Sequence, residues 1–137
     1  MDAKRSLTRK WIMKARRDLL SAKKLANGKE PFLDTAIYHC QQATEKVIKG
    51  RLVYHDLSFD KTHDLRLLVT MASEVEPKFT SWFDVAEQVS PYATAYRYPG
   101  EVLEPNEEEY AQAFKSAGDF YEFVCSLLPA ELSRAPQ

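Results

Sequence analysis

Three polar side chains recur along one edge of the stretch from Asp34 to His55: His39, Gln42 and Lys46, spaced i, i+3 and i+7. On an α-helix that spacing sets an imidazole, an amide and an ammonium in one row. Such a row can border a cleft and offer hydrogen bonds and positive charge to an anion. By spacing alone it reads more simply as the solvated rim of a buried face. Other chemistry is thinly represented. There is no GxGxxG, P-loop, HExxH or GxSxG, and Gly28, Gly50, Gly100 and Gly118 are too scattered to cradle a phosphate. His39, His55 and His63 are not paired i, i+4 on one helix with a carboxylate, so no metal site is expected. Glu107, Glu108 and Glu109 are consecutive and fan around a helix instead of converging as an acid–base pair. Neither a catalytic residue nor a cofactor is assigned.

The element carrying the row has to be central. Ala36, Cys40, Ala43, Val47, Gly50 and Tyr54 share a narrow, mostly small-residue stripe that lets neighbouring helices approach closely. The first helix, expected from about Leu7 to Ala26 and stopped by Asn27-Gly28, turns Leu7, Trp11, Ala15, Ala22 and Leu25 inward. Asp18 lies on that inner stripe and needs a partner, with Lys46, Arg97 or a tyrosine hydroxyl as candidates. Leu20 and Met13 face the other way. Helices are predicted near residues 7–26, 34–55, 63–75, 80–97 and 107–128, with Thr62 capping the third and Asn106 the last. Pro91 should kink the fourth and Pro99-Gly100 end it. With no strand and no internal repeat, the pattern specifies an all-α fold, an up-and-down four-helix bundle with an additional short helix.

The chain has 137 residues, 45% of them hydrophobic and 28% charged, with a net charge of -1. That is one domain with a real core and no overall pull toward nucleic acid. Charge is unevenly spread: nine basic residues against the single acid Asp18 between Lys4 and Lys24, and five acids with no base from Glu101 to Glu109. A solvated helix face accounts for most of this asymmetry, and a weak electrostatic contact with RNA or an acidic partner for the rest. Cys40 and Cys125 lie on apolar stripes without ligand spacing and are expected to be buried free thiols. With no long apolar run and no secretory h-region, a cytoplasmic protein without membrane association is expected.

Four pieces, taken in order, resemble the HEPN family, the nucleotide-binding domain of higher eukaryotes and prokaryotes: WIMKARRDLLSAKKL, YHCQQATEKVIKGRLVYH, KTHDL, and ATAYRYPG before a last amphipathic helix. The resemblance covers roughly Leu7 to Leu128, a single helical domain taken as 1–128, and residues 129–137 read as a flexible tail. The resemblance implies dimerisation and, for prokaryotic stand-alone members, a minimal nucleotidyltransferase as protein partner in a toxin–antitoxin-like module. Ribonuclease members carry an arginine, then four to six intervening residues, then a histidine, near the start of the last long helix. This chain has no histidine after Arg97, and its nearest pair, Arg51 and His55, sits on the wrong helix. Binding is therefore the leading reading. The resemblance brings His39, Gln42 and Lys46 near Lys61, His63, Arg97 and Tyr98 as a shallow pocket for a nucleotide or RNA phosphate. A noncanonical ribonuclease and a ligand-free dimeric adaptor are the alternatives. Leu52 and Tyr38, off the small-residue stripe, and Phe83 would face water in a monomer, which supports a homodimer joined through the second and fourth helices.

Overall fold

The computed structural model describes residues 1–135, and every regular element among them is helical. Five α-helices follow in order: α1 (Ala3–Ala26), α2 (Leu33–Tyr54), α3 (Leu65–Val75), α4 (Phe83–Val89) and α5 (Glu107–Ser126). Three 3-10 turns punctuate them: Pro77–Trp82 before α4, Ser90–Ala93 after it, and Ala130–Leu132 after α5. The all-α bundle read from the sequence is what forms. Among the described residues no helix is long and apolar enough to cross a membrane.

α1 begins earlier than expected because the Asp2 carboxylate accepts from the Arg5 backbone N–H at 2.7 Å, capping the helix. Its inner stripe is Thr8, Ile12, Ala15, Asp18 and Ala22, whereas Leu7 is 47% exposed. A threonine can occupy the centre of the stripe because its hydroxyl donates to the Lys4 carbonyl at 2.9 Å. Ala15, Asp18 and Ala22 lie inward as expected, whereas at the start of the helix Thr8 and Ile12 take the inner positions expected for Leu7 and Trp11.

α2 is wrapped by α1, α3, α5 and the Ser90–Ala93 turn, so it is buried on nearly every side. Gly50 sits where α1 crosses: a Cβ there would stand 2.9 Å from Ile12 Cδ1 and 3.1 Å from Trp11 Cβ. The close approach is what needs the missing side chain. Leu52, expected to face water, is fully buried, because α3 and α5 cover the sides of α2 that α1 leaves open. Tyr38 and Phe83 are half-buried and Phe83 packs against the core. Of the apolar residues invoked for pairing through α2 and α4, Leu52 is thus covered within one chain, and Tyr38 and Phe83 are covered in part.

The region expected as one kinked helix over 80–97 is broken into three pieces. Pro77 and Pro91 each stand at the start of a 3-10 turn, where a missing N–H is tolerated. Only Phe83–Val89 between them is α-helical. Aromatic packing holds the first piece down. Phe79 is fully buried, edge-on to Phe123 at 5.0 Å and to Phe120 at 6.2 Å, while Trp82 stacks on Phe123 at 4.9 Å.

Helix ends show the remaining departures. α3 is capped by Asp64, whose carboxylate accepts from Leu67 N–H, not by Thr62, whose hydroxyl instead accepts from Asp64 N–H. His63 is thereby left outside the helix. Asn106 caps α5 as expected. Arg51 donates to the Leu127 carbonyl at 2.8 Å, satisfying the far end of α5. Expected to fray after Pro129, the chain instead docks one turn: Leu132 is fully buried, and Arg5 and Arg9 bond the side chain and carbonyl of Glu131. Residues 136–137 of the expected tail lie outside the described residues.

Both cysteines are free, Cys40 fully buried and Cys125 only partly so. Burial pushes the Cys40 thiol up to about 12 and the Cys125 thiol up to about 11. Labelling of the native protein by a thiol reagent at neutral pH is expected to be slow at both, slower at Cys40, and to accelerate only in strong alkali. Labelling of Cys40 at the rate of the denatured chain would contradict its burial.

Candidate functional site

Tyr38, Gln42 and Glu45 recur on one face of α2 and form one wall of a groove of about 250 Å³. Ala93, Thr94 and Arg97, from the segment that follows α4, form the other wall, and His63 closes it from the loop before α3. A second cleft of about 280 Å³ adjoins it, lined by Asp34, Thr35, Tyr38, His39, Tyr96 and Arg97. Tyr38 and Arg97 belong to both. The Arg97 guanidinium lies over the Tyr38 ring, 4.1 Å from its centroid, and donates once to the Ala93 carbonyl at 3.1 Å. Its other N–H groups have no partner among the described residues, which leaves a planar cation free to grip an oxyanion.

Arg97 is held by its neighbours. Tyr96 adopts a left-handed backbone with φ of 66°, a conformation a bulky residue keeps only when its surroundings enforce it. Here the enforcing group is Glu109, in the first turn of α5. Its carboxylate accepts the Tyr96 hydroxyl at 3.0 Å and the Tyr92 hydroxyl at 2.6 Å, and the two rings stack. Burial first, and the bonds to Glu109 second, push both phenols upward, so both remain donors at any physiological pH.

Beneath the groove runs a buried polar chain. Glu45 and Lys49, both nearly inaccessible, form an ion pair at 3.1 Å. His63 Nδ1–H donates to the same Glu45 oxygen at 2.9 Å, although the imidazole is otherwise open to solvent. Gln41 donates to the other Glu45 oxygen, and Gln42 donates to Gln41. The Lys49 ammonium also lies over the rings of Trp11 and Phe59, at 5.7 and 5.6 Å. Every charge in this chain is matched, as burial demands. The result fixes His63 with its Nε2 outward.

The seven residues singled out from the sequence are divided by the structure. Gln42, His63 and Arg97 meet in the groove, and His39 lines the adjoining cleft. Lys46 is engaged elsewhere: its ammonium sits 2.8 Å from Asp18 Oδ2, off the hydrogen-bonding direction, while His39 Nδ1–H donates to Asp18 Oδ1 at 2.8 Å. Asp18 thus found Lys46, one of its expected partners, and an imidazole as well. Lys61 and Tyr98 are exposed and line neither cavity. Sequence reasoning missed Tyr38, Glu45, Tyr96 and Glu109. For Glu45 there was a signal, since Gln41, Glu45 and Lys49 repeat at i, i+4 and i+8 on a helix already read as central. Among the described residues no group of three His, Cys, Asp or Glu converges as a metal cluster.

Comparison with known proteins places these features in context. A family model described as HEPN domain matches residues 8–128. The backbone is similar to the crystal structure of an archaeal HEPN homologue, with a TM-score of 0.69 and 23% identity, covering 88% of this chain and 96% of that one. No curated protein matches the chain.

Proposed function

Because the chain belongs to the HEPN domain family, we propose that it is a non-catalytic helical module whose groove between α2 and the Ser90–Arg97 segment binds a nucleotide. The observation that carries this reading is the unspent guanidinium of Arg97 on the Tyr38 ring at the shared edge of two cavities. A phosphate takes charge-assisted bonds from Arg97, and the base lies along the aromatic and amide wall of Tyr38 and Gln42. Glu109 contributes indirectly, by holding Tyr96 and so aiming Arg97. A minimal nucleotidyltransferase is the protein partner this reading expects, in a two-component module tested by co-purification from a shared host.

Thermal unfolding with adenosine monophosphate at millimolar concentration tests the reading. A ligand that binds only the folded state raises Tm by mass action. The wild-type midpoint should rise, the rise should vanish in Arg97→Ala, and Lys61→Ala should leave it intact. An unchanged wild-type midpoint, or an equal rise in Arg97→Ala, would contradict it.

A second reading, cleavage of an RNA phosphodiester, has one observation in its favour. His63, its Nδ1 fixed by Glu45 and its Nε2 outward, lines the same groove as Arg97. An imidazole paired with a carboxylate and facing a guanidinium is suited to proton transfer and charge stabilisation at a phosphate. RNA cleavage by the purified protein, lost in both His63→Ala and Arg97→Ala, would establish the enzyme and displace the non-catalytic reading.

A further inference from the structure

The cleft that adjoins the groove is the part of the site that a mononucleotide leaves empty. With its base against Tyr38 and Gln42 and its phosphate on Arg97, such a ligand keeps its own ribose on the groove side of the guanidinium. The cleft lies beyond, about 280 Å³ beside a groove of about 250 Å³. Each alone falls short of the ~300–1,000 Å³ that small-molecule sites enclose, and the two together reach it. Arg97 and Tyr38 belong to both, so a ligand that fills the pair passes its anionic portion across Arg97.

The cleft is lined for hydroxyl groups, not for more phosphate. Asp34 and Arg97 both line it, yet the two opposite charges form no ion pair. Asp34 Oδ1 accepts from the neighbouring Thr35 N–H at 2.8 Å, and Oδ2 has no donor among the described residues. His39 commits Nδ1–H to the buried Asp18 at 2.8 Å, which leaves Nε2 of the neutral ring as a second acceptor. A phosphate placed here would face the Asp34 carboxylate, a like charge. A sugar matches the lining, because its vicinal hydroxyls donate to a carboxylate as a nucleotide ribose does in dinucleotide-binding folds. A second base matches it less well. Tyr96 already stacks on Tyr92, and Tyr38 packs against the His39 imidazole at 5.7 Å, so the cleft presents acceptors and no open stacking platform.

We propose that the ligand is a nucleotide sugar, a nucleoside diphosphate whose terminal phosphate carries a sugar held in the cleft by Asp34 and His39. Base and first ribose occupy the groove, the diphosphate crosses Arg97, and the sugar hydroxyls donate to the Asp34 carboxylate and to His39 Nε2. Arg97 has donors enough for two phosphates: one of its five N–H groups goes to Ala93, and a bidentate grip on one phosphate uses two more. Arg97 holds the middle of the ligand and Asp34 selects its far end. This assignment rests on the groove binding a nucleotide and adds the portion of the ligand beyond the phosphate.

Calorimetric titration of the full chain with ADP, ADP-ribose and an adenosine dinucleotide joined by one phosphodiester tests it. ADP-ribose should bind at least tenfold tighter than ADP, through hydroxyl bonds to a charged acceptor. Asp34→Asn should erase that advantage, and Arg97→Ala should abolish binding of both. Asp34 is only partly buried and its side chain bonds nothing beyond Thr35, and circular dichroism checks that the variant folds. ADP-ribose bound no tighter than ADP, an advantage that survives Asp34→Asn, or a dinucleotide bound as tightly as ADP-ribose would each overturn the nucleotide sugar while leaving the groove a nucleotide site. No binding of ADP or ADP-ribose at millimolar concentration would overturn the groove reading itself, and the nucleotide sugar with it.

Discussion

Glu45→Ala is expected to destabilise the fold by about 3–5 kcal/mol, because it strands Lys49 as an unpaired charge inside the bundle. The loss exceeds what an ordinary helix-surface glutamate would cost, since the two side chains are only 4% and 6% exposed. The cause is desolvation of the orphaned ammonium, whose remaining neighbours are the faces of Trp11 and Phe59. Removing both charges should recover most of the loss: Glu45→Leu with Lys49→Met replaces an ion pair by apolar side chains of similar size. Urea unfolding of Glu45→Ala and of the double variant reads this from the midpoints at constant slope. A Glu45→Ala cost below about 1 kcal/mol would mean that water reaches Lys49, and the buried chain under the groove would have to be abandoned. The same variant releases His63, whose only side-chain hydrogen bond among the described residues is to Glu45.

Phe79→Ala should cost a similar amount, about 3–5 kcal/mol, through lost burial and the cavity left among Phe120, Phe123 and Trp82. Phe79 is fully buried although it sits on a 3-10 turn, a backbone with little intrinsic stability. Its ring is therefore what ties that turn to α5. Loss of the tie is felt downstream, since the turn leads directly into α4 and then to the segment that presents Arg97. Trp82→Ala, at a half-buried position, should cost less. The order of the two, measured by chemical denaturation, checks the assignment. A larger loss for Trp82→Ala would show that the turn is anchored by the indole instead.

How far the sequence reveals this molecule varies from element to element. Asn27-Gly28, Asn106 and the small-residue stripe of α2 signal their structures locally, because caps and close helix contacts demand particular residue types. The fourth segment is legible only in part. One kinked helix over 80–97 was expected, but two prolines fourteen positions apart left room for just the seven α-helical residues Phe83–Val89. Leu52 misled for a different reason. An amphipathic reading assigns a helix one wet face, and α2 has almost none because partners arrive from three sides. At the candidate site, Gln42 stood out in the polar row on α2, and His63 and Arg97 were named because the family resemblance implied that their segments lie near it. Glu109 was not found. Its role comes from two tyrosine hydroxyls reaching it across the bundle, and no local spacing encodes that meeting. Lys46 was found for its charge and then proved to be committed to Asp18.

The central claim is that the groove shared by Tyr38, Gln42, His63 and Arg97 binds a nucleotide. A titration of isotope-labelled protein with adenosine monophosphate, followed by amide and side-chain NMR shifts, tests it most directly. Saturable shifts confined to residues 34–45, His63 and 92–98, absent in Arg97→Ala, are the result predicted. Saturable shifts centred on the outer face of α1, or none up to millimolar nucleotide, would contradict it.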